Sequence, residues 1–219
     1  MRLRAALLAA AFAALAVLVA AGSLTGLDQW SVDHLMPGAS FSSSSQTTIE
    51  SVVPLLGAHW HPPLHAVAEI WTVPASALPA FAIAGIGCLV LLRRGRRRAA
   101  LVWAAAWVAG LAIELLCKET LTRPPLNADG IIHLDGFDNA FPSGHTIRAV
   151  LVAATIAVVW PAARIWVAVW AGVAVVLTEL AGFHTPTDIL GGLLVAALLI
   201  DLAQAPESAR ADTGARKDA

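Results

Sequence analysis

The side chains that could do chemistry in this sequence collect in three short stretches. The stretch ELAGFHTPTDILGG, residues 179–192, places His184 four residues before Asp188, which puts both side chains on one face of a helix. Such a pair could be a catalytic couple, a metal site, or a polar pair between two helices. The other two stretches are KETLTRP, residues 118–124, and PSGH, residues 142–145.

Together these stretches supply the groups that a phosphate ester requires. Lys118 and Arg123 can neutralise the charge of the phosphate, and Ser143 and Gly144 stand in a turn whose free N–H groups open a helix and favour an anion. One histidine could attack the phosphorus while the other protonates the leaving oxygen. This chemistry requires neither a metal ion nor an organic cofactor.

The composition identifies the chain around these residues as a membrane protein. It has 219 residues, is 58% hydrophobic and 13% charged, and has a mean hydropathy of +0.73. The near-zero net charge provides no basic surface for nucleic acid. Six apolar runs predict an all-α, polytopic fold: Ala5–Ala21, Ile70–Leu92, Ala99–Cys117, Ile147–Trp160, Ile165–Phe183 and Ile189–Ala203.

The basic residues predict how these helices are oriented. In a six-helix arrangement those given at the end of this paragraph fall on one side, whereas residues 22–69 contain no Lys or Arg. We therefore expect a multi-pass protein of the cell membrane with both termini in the cytoplasm and the three polar stretches on the extracytoplasmic face. The basic residues on the cytoplasmic side are Arg2, Arg4, the RRGRRR block at 93–98, Arg164, Arg210, Arg216 and Lys217.

The chain is predicted to form a single domain. This domain would cover residues 1–203, with a catalytic core over about residues 99–203 and a disordered cytoplasmic tail over residues 204–219. The first apolar run fits a cleaved signal peptide as well as a retained anchor, and its length favours the anchor.

The three stretches, taken in order, resemble the type 2 phosphatidic acid phosphatase family, whose lipid-phosphate phosphatases share a helical core with vanadium haloperoxidases. That family has a Lys followed at a fixed distance by Arg-Pro, then Pro-Ser-Gly-His, then Ser-Arg with a His and an Asp behind it. This sequence has KETLTRP, PSGH and HTPTD (residues 184–188). The resemblance covers the third to the sixth predicted helix and implies six spanning helices.

The resemblance also implies a role for each motif residue. His184 would be the nucleophile that forms a phosphohistidine, Asp188 would orient its imidazole, and His145 would be the general acid for the leaving alcohol. The phosphoryl oxygens would be held by the remaining residues of the motifs, namely Lys118, Arg123, Ser143 and the amide of Gly144.

Two positions depart from the family pattern. In the first motif the usual Arg-Pro would fall on Pro125–Leu126, so Arg123 corresponds to the earlier Arg of a doubled Arg-Pro-Arg-Pro form. In the third motif the Ser-Arg pair falls on Leu177 and Thr178, and the expected arginine is absent.

Arg148 is a candidate replacement for the missing arginine. It follows His145 by three residues, so on a helix it lies about one turn deeper on the same face. We hypothesise that it binds the phosphate in place of that arginine. The alternative is that Arg148 pairs with an intramembrane carboxylate, Glu179 or Glu114, in a structural role. Glu114 is also spaced for an i,i+4 pair with Lys118.

Other polar clusters are assigned no chemistry. HWHPPLH (His59, His61, His65) lacks the Cys or carboxylate partners of a metal site and contains two prolines. Cys88 and Cys117 lie in apolar runs and are interpreted as core residues. The serine-rich stretch 39–48 is predicted to be a flexible loop. Asp129, Asp135 and Asp138 are interpreted as solvated loop residues.

The sequence therefore predicts a metal-independent integral membrane phosphatase. Its substrate would be a lipid phosphate or a polyprenyl diphosphate taken from the bilayer, hydrolysed on the extracytoplasmic face through phospho-His184. Two alternatives remain open. The same residues permit phosphotransfer to another lipid or sugar, and the missing arginine permits a non-catalytic protein that binds or transports lipid phosphates.

Overall fold

The computed structural model of the protein describes residues 2–36, 63–127 and 139–215, and this part of the chain is helical without any strand. Two short 3-10 turns, Val73–Ala75 and Pro161–Ala163, interrupt the helices. In chain order the helices are α1 (Arg2–Ala20), α2 (Thr25–Leu35), α3 (Pro63–Thr72), α4 (Ala77–Arg93), α5 (Arg97–Thr120), α6 (Gly144–Val159), α7 (Arg164–Leu180) and α8 (Pro186–Ala215).

The described helices are those of a multi-pass membrane protein. Five segments are long and apolar enough to cross a bilayer, and α6 is apolar but has only 16 residues, about 24 Å of helix. The predicted all-α, polytopic fold is thus confirmed, with α6 as the sixth, shorter member of the bundle. The five long segments are Leu3–Ala20, Val67–Arg93, Arg97–Thr120, Pro161–Leu180 and Pro186–Gln204.

The second predicted helix is broken where a single helix was expected from Ile70 to Leu92. It consists of α3, the turn Val73–Ala75, and α4, with Pro74 inside the turn. Proline has no N–H to donate and its ring crowds the preceding turn, so the α-helical hydrogen-bond ladder stops here. The break leaves the carbonyl of Ala75 free to accept a hydrogen bond from another helix.

Helix α1 is part of the bundle and packs mainly on α8. Leu15 and Val19 form a small buried cluster with Phe141, and the ring of Phe12 stacks on Phe141 with 5.8 Å between centroids. Removal of α1 as a signal peptide would leave this cluster without two of its three buried members. The main core lies between α4, α5, α6 and α8 and contains Trp103, Trp107 and Leu151.

Two predicted segments differ in extent from the structure. Residues 22–36, expected to be an outer loop, contain the helix α2. Helix α8 continues past Gln204, where the sequence predicts the start of a disordered tail, as far as Ala215. The added residues include several Ala together with Glu and Arg, which favour helix, but also Pro206 and Gly214, which disfavour it.

Several predictions fall outside the described residues. These concern the serine-rich stretch 39–48, the loop residues Asp129, Asp135 and Asp138, and His59 and His61 of the histidine cluster. His65 lies in α3, where only the backbone is described. Cys88 and Cys117 are free cysteines in α4 and α5, as expected of core positions.

Candidate active site

The three motifs meet at one end of the helix bundle. Helices α5 and α7 end here, α6 and α8 begin here, and α2 lies across the same end. Lys118 is in the last turn of α5. The backbone N–H of Ser143 donates a hydrogen bond of 2.9 Å to the carbonyl of Asp188, which joins the second motif directly to the third.

His184 and Asp188 lie side by side in the buried part of this end. His184 Nδ1 is 3.6 Å from Asp188 Oδ2, longer than a good hydrogen bond. The same nitrogen is buried and has no hydrogen-bond partner among the described residues, and the Asp188 side chain is fully buried. Because Nδ1 lies toward the carboxylate, the opposite ring nitrogen, Nε2, is the one left to face a substrate.

A glycine turn places His184 at this position. After α7 the chain reverses through Gly182, which has φ +76°, a left-handed conformation that glycine adopts without a Cβ clash. The Gly182 N–H donates to Glu179 O at 2.8 Å and the Phe183 N–H donates to Thr178 O at 3.0 Å, closing the end of the helix. His184 follows immediately, two residues before α8 begins.

His145, the proposed general acid, faces His184. Their ring centroids are 5.9 Å apart, and His145 also stacks on Phe183 at 6.2 Å. His145 is half-buried, and Arg148 follows it by about one turn in the same helix. The two imidazoles are therefore close enough to act on one bound group, as nucleophilic attack with acid catalysis requires.

Arg123 lies behind His184 and binds carboxylates. Its Nη2 donates to both oxygens of Asp188, at 3.1 and 2.9 Å, and its Nη1 donates to Asp28 Oδ2 at 2.9 Å. The same Nη1 also contacts Thr185 Oγ1 at 3.0 Å. These contacts differ from the phosphate contacts expected for Arg123, because the guanidinium is enclosed between two buried carboxylates. We call Asp28, Arg123 and Asp188 the acidic triad.

Asp28 is a site residue that the sequence did not indicate. It is buried on α2 and accepts hydrogen bonds from the Thr187 N–H at 3.2 Å and the Thr187 hydroxyl at 2.7 Å. Burial raises the pKa of Asp28 above its ordinary value, while the hydrogen bond from Thr187 and the charge of Arg123 oppose this shift. A single aspartate in a stretch expected to be a loop belongs to no motif, so its role is recognised only from its contacts with distant residues.

Ser143 caps the first turn of α6. Its hydroxyl oxygen accepts hydrogen bonds from the Thr146 N–H at 3.2 Å and from the Thr146 hydroxyl at 3.0 Å. The prediction that Ser143 and Gly144 open a helix is therefore confirmed. The Ser143 side chain is fully buried, and as an N-cap it stabilises the helix end that is proposed to bind phosphate.

Glu114 joins Lys118 to Arg148. Glu114 Oε1 accepts a hydrogen bond from Lys118 Nζ at 2.8 Å, and Oε2 accepts one from Arg148 Nη1 at 2.6 Å. The Glu114 side chain is buried, whereas the side chain of Lys118 is 32% exposed. We call Lys118, Glu114 and Arg148 the cationic triad. The expected i,i+4 pair is confirmed.

The cationic triad adjoins the N-terminus of α6. A Cβ on Gly144 would collide with the carboxylate of Glu114, so only glycine allows this close approach. The helix N-terminus carries a partial positive charge and unpaired N–H groups. Two cations, a helix N-terminus and the two histidines thus lie in one region.

Arg148 pairs with Glu114, one of the two carboxylates considered for it. Its Nε also donates to the carbonyl of Ala75 at 2.7 Å, the group left free by the break at Pro74. Glu179, the other candidate, accepts a hydrogen bond from Ser31 of α2 at 3.0 Å. Thr178, at the position of the missing arginine, is buried and donates to the carbonyl of Ala174 at 2.7 Å.

The described carboxylates and histidines do not form a metal site. No group of three or more His, Cys, Asp or Glu side chains in the described ranges is arranged to hold a metal ion. The site carboxylates Asp28, Glu114 and Asp188 are instead bound to lysine or arginine. The acidic triad has one net negative charge and the cationic triad one net positive charge, with the histidine pair adjoining both.

The comparison with protein families agrees with the motifs. Residues 116–204 match the model of the family described as PAP2 superfamily. No curated protein matches the chain with significance, and no solved structure does so. The matched residues contain all three motifs and run from the end of α5 into α8. The resemblance inferred from KETLTRP, PSGH and HTPTD is thereby confirmed over residues 116–204, which are similar to the PAP2 superfamily.

Proposed function

We propose that the protein is an integral membrane phosphatase that hydrolyses a lipid phosphate monoester or a polyprenyl diphosphate through a phospho-His184 intermediate. One arrangement carries the proposal: the His184–Asp188 pair and His145 face each other beside the cationic triad at the N-terminus of α6. The match to the PAP2 superfamily supports a phosphatase-type reaction.

The reaction has two balanced steps. In the first, His184 Nε2 attacks phosphorus and forms the P–N bond while the P–O bond to the lipid breaks, and His145 gives its proton to the leaving oxygen. In the second, His145 takes a proton from water, the water oxygen bonds to phosphorus, and the P–N bond breaks to release phosphate. Lys118, Arg148 and the N–H groups at the start of α6 stabilise the charge on the phosphoryl oxygens.

The acidic triad supports the nucleophile in this scheme. A phosphorylated imidazole with a proton on Nδ1 is positively charged, and Asp188 lies beside that nitrogen. Arg123 fixes both oxygens of Asp188, so the carboxylate cannot turn away from His184. Because Asp28 is a second carboxylate beside the single cation Arg123, the acidic triad has a net negative charge, which stabilises the positively charged phosphohistidine ring.

A lipid substrate on the extracytoplasmic side fits the arrangement. The site lies at the mouth of a bundle of apolar helices, where a headgroup can reach polar residues while its tail stays in the bilayer. The RRGRRR block between α4 and α5 is at the opposite end of the bundle, which supports a cytoplasmic location for that end.

The test is release of phosphate from lipid phosphates and polyprenyl diphosphates by the purified protein. We expect His184→Ala and His145→Ala to abolish release. His34→Ala is the matched control and should keep activity, since exposed His34 hydrogen-bonds to Trp30 O of its own helix and to no other residue that the structure describes. Wild-type protein should also carry an acid-labile phosphoryl group on His184 during turnover. Phosphate recovered on an acceptor lipid or sugar would instead indicate a phosphotransferase.

A second candidate function is binding of a lipid phosphate without turnover. The observation that favours it is the charge balance, because every cation of the two triads is paired with a carboxylate and Thr178 replaces an arginine. In that case lipid phosphate should bind, and no phosphate should be released by the wild-type protein.

A further inference from the structure

The carboxylate of Glu114 occupies the centre of the positively charged part of the site. It binds Lys118 Nζ at 2.8 Å and Arg148 Nη1 at 2.6 Å, and it contacts Gly144 at the start of α6. These are the groups that would hold a phosphate. A buried anion among them changes which phosphate group the site can accept.

The charge available to a substrate follows from these pairs. Lys118 and Arg148 share a single carboxylate, so the cationic triad keeps one net positive charge. Arg123 adds none, because it lies between Asp28 and Asp188. The partial charge at the N-terminus of α6 is equivalent to about half an elementary charge. The described part of the site therefore has little positive charge beyond what one phosphoryl group requires.

We propose that Glu114 makes the site selective for a phosphate monoester over a diphosphate. The inference rests on the proposed function and narrows its substrate class. A diphosphate has at least one more negative charge than a monoester and places a second phosphoryl group near the same cations. The negative charge of Glu114 neutralises one of the two positive charges that this second phosphoryl group would need. The same carboxylate also repels the second phosphoryl group directly.

The size of the effect follows from Coulomb's law. The relevant charges are the Glu114 carboxylate and the additional negative charge of the diphosphate. At a separation of about 6 Å and an effective dielectric constant of about 20, their repulsion weakens binding of the diphosphate by roughly 100-fold. Solvent reaches Lys118, so a smaller effect, about 10-fold, is the lower bound that we expect. Replacing Glu114 by glutamine removes the charge and keeps the shape of the side chain.

The test compares binding of inorganic phosphate and inorganic pyrophosphate by the intact, detergent-solubilised protein, using isothermal titration calorimetry. The affinity for pyrophosphate divided by the affinity for phosphate should be about 10-fold or more higher in Glu114→Gln than in wild type. Glu179→Gln is the matched control, because Glu179 bonds to Ser31 and not to the cationic triad, and its ratio should equal that of wild type. An unchanged ratio in Glu114→Gln overturns the proposal.

A second variant tests the proposal independently, in case Glu114→Gln does not fold. Lys118→Met removes a partly exposed cation, and the proposal requires the ratio to move the opposite way, toward phosphate. A ratio that stays constant or moves toward pyrophosphate overturns the proposal.

Turnover separates this inference from the proposed function. The rates of hydrolysis are compared for the monophosphate and the diphosphate of one polyprenol. The rate on the diphosphate relative to that on the monophosphate should be higher in Glu114→Gln than in wild type. An equal ratio of rates in the two proteins counts against selection by Glu114. If neither lipid is hydrolysed and the calorimetric ratio still shifts, charge selection stands and only the hydrolase proposal fails.

Discussion

Replacement of Arg123 by leucine provides the sharpest test of the acidic triad. The structure places this guanidinium between Asp28 and Asp188, with five hydrogen bonds to these carboxylates and to Thr185 and Thr187. Its side chain is only 4% exposed. Arg123→Leu would leave two buried carboxylates without their shared cation. This interpretation makes Arg123 primarily a positioning residue.

The expected loss of stability is large. Removing one partner of a buried ion pair costs about 3–5 kcal/mol, because the remaining charge is left buried and unpaired. Arg123→Leu should therefore lower the free energy of unfolding by at least this amount, measured by thermal or denaturant unfolding in detergent. Arg94→Leu is the matched control. Among the described residues the exposed Arg94 side chain hydrogen-bonds only to the carbonyl of Val159, and its loss should cost within about 0.5 kcal/mol.

A double-mutant cycle isolates the pairing. Asp28→Asn in the Arg123→Leu background relieves one of the two uncompensated charges, so the double variant should be more stable than the sum of the single effects predicts. The coupling should be about 1–3 kcal/mol. Additive effects of the two substitutions would refute the buried network as the reason for the loss.

The catalytic effect of the same substitution should appear mainly in kcat. Loss of the fixed Asp188 orientation should lower kcat by roughly 10²–10⁴-fold, by analogy with the removal of groups that orient a catalytic histidine or stabilise a transition state. Inhibition by inorganic phosphate should change little, since Lys118 and Arg148 remain. A variant with unchanged kcat and much weaker phosphate inhibition would instead indicate that Arg123 binds the substrate phosphate.

Three further substitutions test other contacts. Gly144→Ala should abolish activity and lower Tm, because its Cβ would displace the Glu114 carboxylate; an active, equally stable variant would contradict this close approach. Gly182→Ala should cost about 1–2 kcal/mol at φ +76°, and unchanged unfolding would exclude strain at that turn. Thr155→Val should cost about 1–3 kcal/mol by leaving the Trp107 indole N–H unpaired, while full activity should remain; lost activity would link this core bond to the site.

Much of the fold and the centre of the site could be predicted from local sequence. Apolar runs of spanning length indicated the helices, and the spacing of His184 and Asp188 indicated that they lie side by side. The two do not share a helix face, because His184 lies in the turn before α8 and only Asp188 is in the helix. The Pro-Ser-Gly-His stretch indicated that Ser143 precedes a helix, which the N-cap confirms. These features depend on residues within a few positions of one another, so a single sequence contains them.

The partners of the charged residues could not be predicted in the same way. Arg123 meets Asp28 across 95 positions of sequence, and Arg148 meets Glu114 across 34. Spacing gives no information about such pairs, since they are set by how the helices pack. For this reason Arg123 was expected on the phosphate and is found on Asp188, while Asp28 was not considered. The break at Pro74, which leaves the Ala75 carbonyl free to bind Arg148, could have been predicted from the proline itself. It was not predicted because the surrounding residues form one continuous apolar run.

The contact between Asp28 and Thr187 has a consequence for the order of assembly. These residues are 159 positions apart in the sequence. Asp28 also forms an ion pair with Arg123, which lies between the two in the sequence. A chain emerging from the ribosome contains Asp28 early, but the groups that neutralise and bind it arrive only with the end of α5 and the start of α8. The acidic triad is therefore completed late in synthesis, and a chain that stops before α8 contains His184 but lacks Asp188, the carboxylate that lies beside it.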